Sequence, residues 1–495
     1  MSVLWDALNN IDNFTIGLLL LSLGIALFYE MINGFHDTAN AVAMIIYTNS
    51  MKPGYSVIMA GIMNFIGVIL GGIGVAYVIV HLLPLDIMVS SDQNATLVMI
   101  FSLLLSALIW NFGTWYFGLP VSSSHSLIGS LVGVSVAFGM MHGFTFSQSL
   151  NWKVVYGILT ALAVSPLLGF GLAFLIMKLS RKLVKNPKFF KTPSTEGKKK
   201  PNFWMRTGII ATGAGVSFAH GSNDGQKGIG LIMIILIGIL PTYYALNMEA
   251  HQYKIMQTRD SAANLAKFYA DNNDILTKLL NEKQLISALK IQNSITECNV
   301  NQVYNTTLEI STKLDGLKSY SELTENDRWK IHTAVLCSDN FFGQVERAYK
   351  SIDKDKSDYI ADQRKQMITS TEYVPYWVII AVALMIGIGT MIGYKRVVHT
   401  IGEKIGSKPI NHMQGAVAQA MAMVTILLAN FAHAPVSTTH IVSSAVAGTM
   451  VAEPDGGVQK KTFNTILLAW LFTLPVTALM GAGIYVALSY ITKIG

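Results

Sequence analysis

The sequence predicts an all-α polytopic membrane protein: two inverted-topology repeats with broken helices and re-entrant hairpins, plus an inserted soluble helical domain. Three observations carry this. Long apolar runs recur along the chain, two polar signatures that interrupt apolar stretches each occur twice, and most of the charge is confined to two stretches.

Of 495 residues, 52% are hydrophobic and 13% are charged, a balance few soluble proteins of this size have. Apolar runs of about 20 residues, enough to cross ~30 Å of hydrocarbon, cover Phe14 to Ile32, Ser56 to Val80, Ala95 to Phe117 and Trp152 to Met177. Others cover Thr207 to Leu246, Val374 to Ile392, Gly415 to Phe431 and Phe463 to Ile491. The first run contains Glu30, continues past Asn33 and lacks a small-residue cleavage site, so it reads as a retained helix rather than a signal peptide. Tryptophans such as Trp110 and Trp115 read as packing or interface anchors. The 23 methionines read as lipid-facing or core filler.

Residues 178–206 carry ten Lys/Arg against one acid, Glu196. Short basic loops stay in the cytoplasm, which places this linker and Lys395 to Lys408 inside. The connections 81–95 and 141–151 contain no Lys or Arg and are expected outside. No folded domain frames the basic stretch, which argues against nucleic-acid binding. Residues 248–373 hold 16 Lys/Arg and 18 Asp/Glu and read as a polar domain. Helical apolar spacing recurs within it at Ala262 to Ala270 and Ile275 to Leu289. The expected organisation is 1–177 first repeat, 178–206 cytoplasmic linker, 207–247 start of the second repeat, 248–373 inserted periplasmic domain and 374–495 remainder of the second repeat. Both cysteines, Cys298 and Cys337, fall in the inserted domain. An oxidising compartment permits a disulfide there; two free thiols are the alternative.

The segment Asn33 to Ala41, NGFHDTANA, returns as His220 to Gly228, HGSNDGQKG, and Pro120 to His125, PVSSSH, returns as Pro435 to His440, PVSTTH. The two Asp motifs are 187 residues apart and the two Pro motifs 315, so one half holds 128 extra residues. The inserted domain accounts for them. An ionisable side chain at membrane depth costs roughly 2.5–3.5 kcal/mol on insertion scales, so Asp37, Asp224 and Lys227 need partners and a purpose. Gly34 and Gly221 permit a helix break beside the aspartates; simple capping of the half-helices that follow is the bland alternative. Proline suits a first helical turn, and the exposed N–H groups after it favour anions. Ser122, Ser123, Ser124, Ser437, Thr438 and Thr439 add hydroxyls. His36, His125, His220 and His440 are candidates for proton handling, although a lone buried histidine is more often structural. A duplicated polar motif in duplicated membrane segments is the pattern of inverted-repeat transporters.

At these residues the chain resembles the inorganic phosphate transporter (PiT) family, in particular its bacterial low-affinity Pit branch, over nearly the whole length. The resemblance implies symport of phosphate by alternating access, not an enzymatic reaction, in the bacterial inner membrane. It implies Asp37, Asn40 and Asp224 as substrate or coupling-ion residues, Asn223 and Lys227 as neighbours, and Ser122 to Ser124 and Ser437 to Thr439 as phosphate contacts. Lys227 replaces the Asn40 of the first repeat, so the site is not symmetric. The family pattern in sodium-coupled members places glutamates where this chain has Asn64 and Gln419, which favours proton coupling through Asp37, Asp224, His36, His125, His220 or His440. The Pit branch further implies phosphate carried as a neutral complex with a divalent metal such as magnesium. The metal is then a co-substrate that Asp37 and Asp224 could contact, with no fixed metal and no cofactor. Expected partners are inorganic phosphate, protons, divalent cations and the lipid bilayer, without nucleic acid; a homodimer is left open. Sulfate as substrate, sodium as coupling ion, a membrane enzyme acting on phosphate groups, and a nutrient sensor centred on 248–373 are the alternatives.

Overall fold

A computed structural model describes residues 2–83, 93–119, 121–192, 200–279, 300–392, 398, 405–454 and 456–492. Pro120, Glu196, Lys198, Lys199, Cys298, residues 280–289, part of the 81–95 connection and most of the connection from Lys395 lie outside the described residues. In order, the α-helices are α1 (Ser2–Asn10), α2 (Asn13–Tyr47), α3 (Pro53–Leu70), α4 (Gly74–Val80), α5 (Gln93–Tyr116), α6 (Ser123–Met141), α7 (Trp152–Leu183) and α8 (Phe203–Ile239). They continue as α9 (Pro241–Tyr244), α10 (Gln252–Leu279), α11 (Val300–Lys313), α12 (Glu325–Tyr349), α13 (Lys354–Ile368), α14 (Tyr376–Met391), α15 (His412–Phe431), α16 (Thr438–Ala452) and α17 (Lys460–Thr492). Among the described residues the only β-pairing is a single bridge, Gly406 with Val458.

Among the described residues seven helices, α2, α3, α5, α6, α7, α15 and α17, are long and apolar enough to cross a membrane. They leave large apolar side chains on the surface, for example Leu167, Leu175, Leu471 and Leu479. Water would penalise such a surface, whereas lipid does not.

The chain divides into two compact units. One comprises Met1–Leu19, Pro84–Thr96 and Ile234–Pro375. Its core gathers Leu265, Phe268, Val303, Ile310, Phe341, Phe342, Val345, Ile360 and Met367, which are the inward faces of α10 to α13. Thr324 and Asp353 cap α12 and α13 by accepting from the amides of Asp327 and Lys356, both at 3.1 Å. Cys337 is disulfide-bonded; Cys298 is the chain's other cysteine.

The other unit, Leu20–Leu83, Leu97–Met233 and Tyr376–Gly495, contains every motif described above. Two helix pairs organise it. α5 is followed in the chain by α6, and α15 turns into α16 through residues 432–437. Each tip uses a left-handed residue, Gly118 at φ 67° and His433 at φ 50°. These two are 315 residues apart, the same interval as Pro120 and Pro435. The second leg of each pair packs on a long helix from elsewhere in the chain. A Cβ on Gly129 or Gly133 of α6 would strike the Leu474 or Ala478 carbonyl of α17. One on Gly448 of α16 would strike the Phe170 carbonyl of α7. Small residues let the backbones approach, as membrane helix packing requires.

Three expectations need correction. The Asp motifs are not helix breaks: α2 and α8 run unbroken through Asp37 and Asp224. Their glycines serve close approach instead. A Cβ on Gly34 would meet the Ile386 carbonyl and the Thr390 amide of α14, and one on Gly221 would meet the Asn64 carbonyl of α3. The aspartates therefore cap nothing. The run Ser56 to Val80 divides into α3 and α4 at Gly71 to Ile73, where Gly72 adopts φ 80°. Finally, α7 continues past Met177 into the basic segment. Arg181 and Lys182 suit its negative end, and Arg181 pairs with Glu453 and lies 4.1 Å over the Phe190 ring.

Candidate functional site

α2 and α8 bring the two aspartates together at the hairpin tips. Asp37 and Asp224 are 3% and 0% exposed, and His220, one turn before Asp224 on α8, lies between them. Its Nε2 is 3.3 Å from Asp37 Oδ2 and 3.0 Å from Asp224 Oδ2. These are ion-pair distances without good hydrogen-bond alignment. His36 Nδ1 stands 3.2 Å from Asp37 Oδ1. The donor atoms of Asp37, His220 and Asp224 all lie within 4.8 Å of one another. Two carboxylates and one imidazole form a set that suits a hard or borderline divalent cation.

Lys227 supplies the fixed positive charge. It pairs with Asp224, and its ammonium donates to Ser124 Oγ and to the Val436 carbonyl, both at 2.5 Å. It thus ties α8 to both hairpin tips. Ser124 Oγ donates to the Val436 carbonyl at 3.0 Å, so the tips also touch directly.

The second tip presents its hydroxyls to the carboxylates. Thr438 Oγ1 donates to Asp37 Oδ2 at 3.2 Å and Asp224 Oδ2 at 3.0 Å. Thr439 Oγ1 donates to Asp37 Oδ1 at 2.7 Å and accepts from Asn40 Nδ2 at 3.2 Å. Asn223 braces that tip: its amide donates to Asn430 Oδ1 at 2.6 Å and the Ala434 carbonyl at 3.1 Å, and it accepts from the Val436 amide at 3.3 Å. Ser122 and Ser437 act as caps. Each Oγ accepts from the amide three residues on, His125 at 3.1 Å and His440 at 3.2 Å. The first intrahelical bonds begin only at Ser126 and Ile441. The amides of Ser123, Ser124, Thr438 and Thr439 therefore have no partner within their helices; the positive end of the second leg faces the carboxylates, and that of the first is linked to Asp224 through Ser124 and Lys227.

All eleven expected substrate residues thus fall in one region. The histidines divide: His36 and His220 contact the aspartates, whereas the rings of His125 and His440 pack against each other tilted by 37°, 4.5 Å between centroids. His440 also stacks on Trp470 at 3.9 Å. Asn64 Nδ2 donates to Thr390 Oγ1 at 2.7 Å, and its Oδ1 is 3.0 Å from His220 Nδ1. It therefore stands one residue behind the aspartates. Gln419 Nε2 donates to the Ala41 carbonyl at 2.6 Å. Sequence reasoning missed Asn430, Tyr29 and Glu30 as site neighbours. The available signal was a polar residue inside an otherwise apolar run, as with Asn430 ahead of the second tip.

The profile of the phosphate transporter family matches residues 33–481, from the first Asp motif into α17. The chain belongs to that family. Within it, this chain is 43% identical over 487 residues to the low-affinity inorganic phosphate transporter PitB of Escherichia coli (strain K12), covering 96% of this chain and 97% of the relative. It is 43% identical over 480 residues to PitA of the same organism, covering 94% and 96%. A probable low-affinity inorganic phosphate transporter of Bacillus subtilis (strain 168) is 28% identical, covering 94% and 96%. Among solved structures, a sodium-dependent phosphate transporter shares the fold at TM-score 0.52 and 19% identity, covering 96% of this chain and all of that one. Relatives of this family are named as transporters, and the chain is a multi-pass inner-membrane protein of the same kind.

Proposed function

We propose that this chain imports inorganic phosphate with protons, as a neutral divalent metal–phosphate complex, by alternating access. The observation that carries the reading is the buried meeting of Asp37, His220 and Asp224 with one capped helix N-terminus directly and with the second through Lys227. Such a site offers opposite chemistries at hydrogen-bonding distance. The carboxylates take a cation, while the free amides, the Thr438 and Thr439 hydroxyls and Lys227 take an oxyanion. A bare phosphate would face two carboxylates in a buried site; a metal-neutralised one does not, and its dehydration costs less. The names of the relatives at 43% identity support phosphate as the cargo. Each tip is capped by serine and carries a left-handed residue at the same interval, which supports two related repeats. In that arrangement the basic segment 178–206 faces the cytoplasm and 248–373 faces the periplasm.

Proton coupling is favoured by the amides at Asn64 and Gln419. Both are engaged in hydrogen bonds and bring no formal charge for a sodium ion. Of the motif residues, Asp37, Asp224, His36 and His220 adjoin the cargo site closely enough for its proton balance to act on them. The likeness to a sodium-dependent transporter supplies the competing reading.

The test is labelled-phosphate uptake into proteoliposomes without sodium, under an inward proton gradient and with magnesium. Uptake abolished by a protonophore and unaffected by excess sulfate supports the proposal. Uptake that begins only with sodium overturns the coupling, and competition by sulfate overturns the substrate.

A further inference from the structure

Glu30 lies on α2, two turns before Asp37, and is fully buried at 0% exposure. Its Oε2 accepts from Asn33 Nδ2 at 3.3 Å. Oε1 has no hydrogen-bond partner among the described residues, and neither has Asn33 Oδ1. The carboxyl is pressed against α8, where a Cβ on Gly228 would collide with it. Gly228 directly follows Lys227. The charged and titratable groups facing it are Lys227, Asp224 and His220 on α8. On its own helix Tyr29 adjoins it, its hydroxyl donating to the Ser123 carbonyl at 3.1 Å, and His36 and Asp37 follow about two turns on. The feature is not duplicated: the residue 187 positions on is Ser217, which donates to the Gly213 carbonyl at 3.1 Å.

A buried carboxylate without a paired cation is costly, whereas a carboxyl carrying its own proton is not. The Asn33 contact serves both forms. The carboxylate accepts from Nδ2; the protonated carboxyl donates to Oδ1 once the amide turns over. That exchange would also give Asn33 Oδ1 a donor.

We propose that Glu30 carries the coupled proton, while Asp37, His220 and Asp224 hold the cargo. In each cycle the carboxylate takes one proton from the outer solution and releases it to the cytoplasm. Lys227, one residue from the contact at Gly228, communicates that change to the cargo site. The assignment rests on the proton-symport reading.

The test compares wild-type protein with Glu30→Gln, full length, in proteoliposomes with magnesium and labelled phosphate. Two rates are read: uptake driven by a pH gradient, and phosphate counterflow at equal pH. The amide mimics the protonated carboxyl, so counterflow should stay within about twofold, while gradient-driven uptake falls at least ~10-fold. If wild-type and E30Q both respond equally to the gradient, Glu30 is not the carrier and symport stands. If wild-type protein itself ignores the gradient, symport and the carrier assignment fall together. If E30Q loses counterflow or fails to insert, the charge is needed for cargo binding or folding, and the assignment is overturned.

Discussion

Lys227 and Asp224 form an ion pair one turn apart on α8, almost completely buried, at the point where both hairpin tips meet. Removing one member of a buried pair costs about 3–5 kcal/mol, because the other charge is left uncompensated. Lys227→Met should therefore lower the thermal midpoint and abolish uptake. Adding Asp224→Asn should recover most of the stability but none of the transport. A double-mutant cycle on the purified protein reads the coupling; additive losses would mean that the pair is not the unit that matters.

Asp37→Asn and Asp224→Asn should each reduce phosphate uptake at least ~100-fold, the kinetic equivalent of about 3 kcal/mol, while protein still reaches the membrane. Asp37 accepts from Thr438 and Thr439 and neighbours both His36 and His220. Its charge organises more of the site than its length of side chain suggests. Wild-type uptake by either variant removes that aspartate from the site.

Much of this site was legible because it was written twice. The repeated Asp and Pro signatures named most of the residues that converge, though not Asn430, Tyr29 or Glu30, and they marked the helix starts at the tips, where the caps are Ser122 and Ser437. What the sequence misassigned was the work of the glycines. Gly34 and Gly221 carry the same freedom whether a helix breaks or a neighbour's carbonyl approaches; only the packing of α14 and α3 decides. The histidines were indistinguishable for a similar reason. His220 and His440 each occupy a motif, but Trp470, 30 residues away from His440 in sequence, draws the latter into a ring stack. Glu30 was hidden because it is single and has no repeat partner.

The glycine assignment is itself testable. Gly221→Ala would place a methyl group against the Asn64 carbonyl, and overpacking of this kind costs about 1–3 kcal/mol. Because Asn64 also meets His220, uptake should fall with stability. Gly171→Ala in α7, where a Cβ meets nothing within 4 Å, should be neutral or stabilising by up to ~1 kcal/mol. Equal behaviour of the two variants in thermal unfolding would show that close approach is not the reason for glycine at 221.

Glu372 gives the first unit a pH dependence of predictable sign. Burial pushes its carboxyl up to about 7, with Asp339 adding to the rise and Arg364 opposing it. Arg364 is itself committed to Asp339, at 3.0 Å, and to Glu346. In the unfolded chain Glu372 titrates near the ordinary 4.5. Between these values the folded unit keeps a proton that the unfolded one has lost, so stability is greatest below about 4.5 and declines as pH rises to about 7. The whole effect is on the order of 1–3 kcal/mol, the residue being partly accessible. Hydrogen exchange of α12 and α13 in the full-length protein should lose protection from pH 5 to 7 and level off above it. Glu372→Gln should flatten that slope. A slope unchanged in the variant would assign the pH dependence to another group, with the Asp339, Glu346 and Arg364 cluster next to be tested.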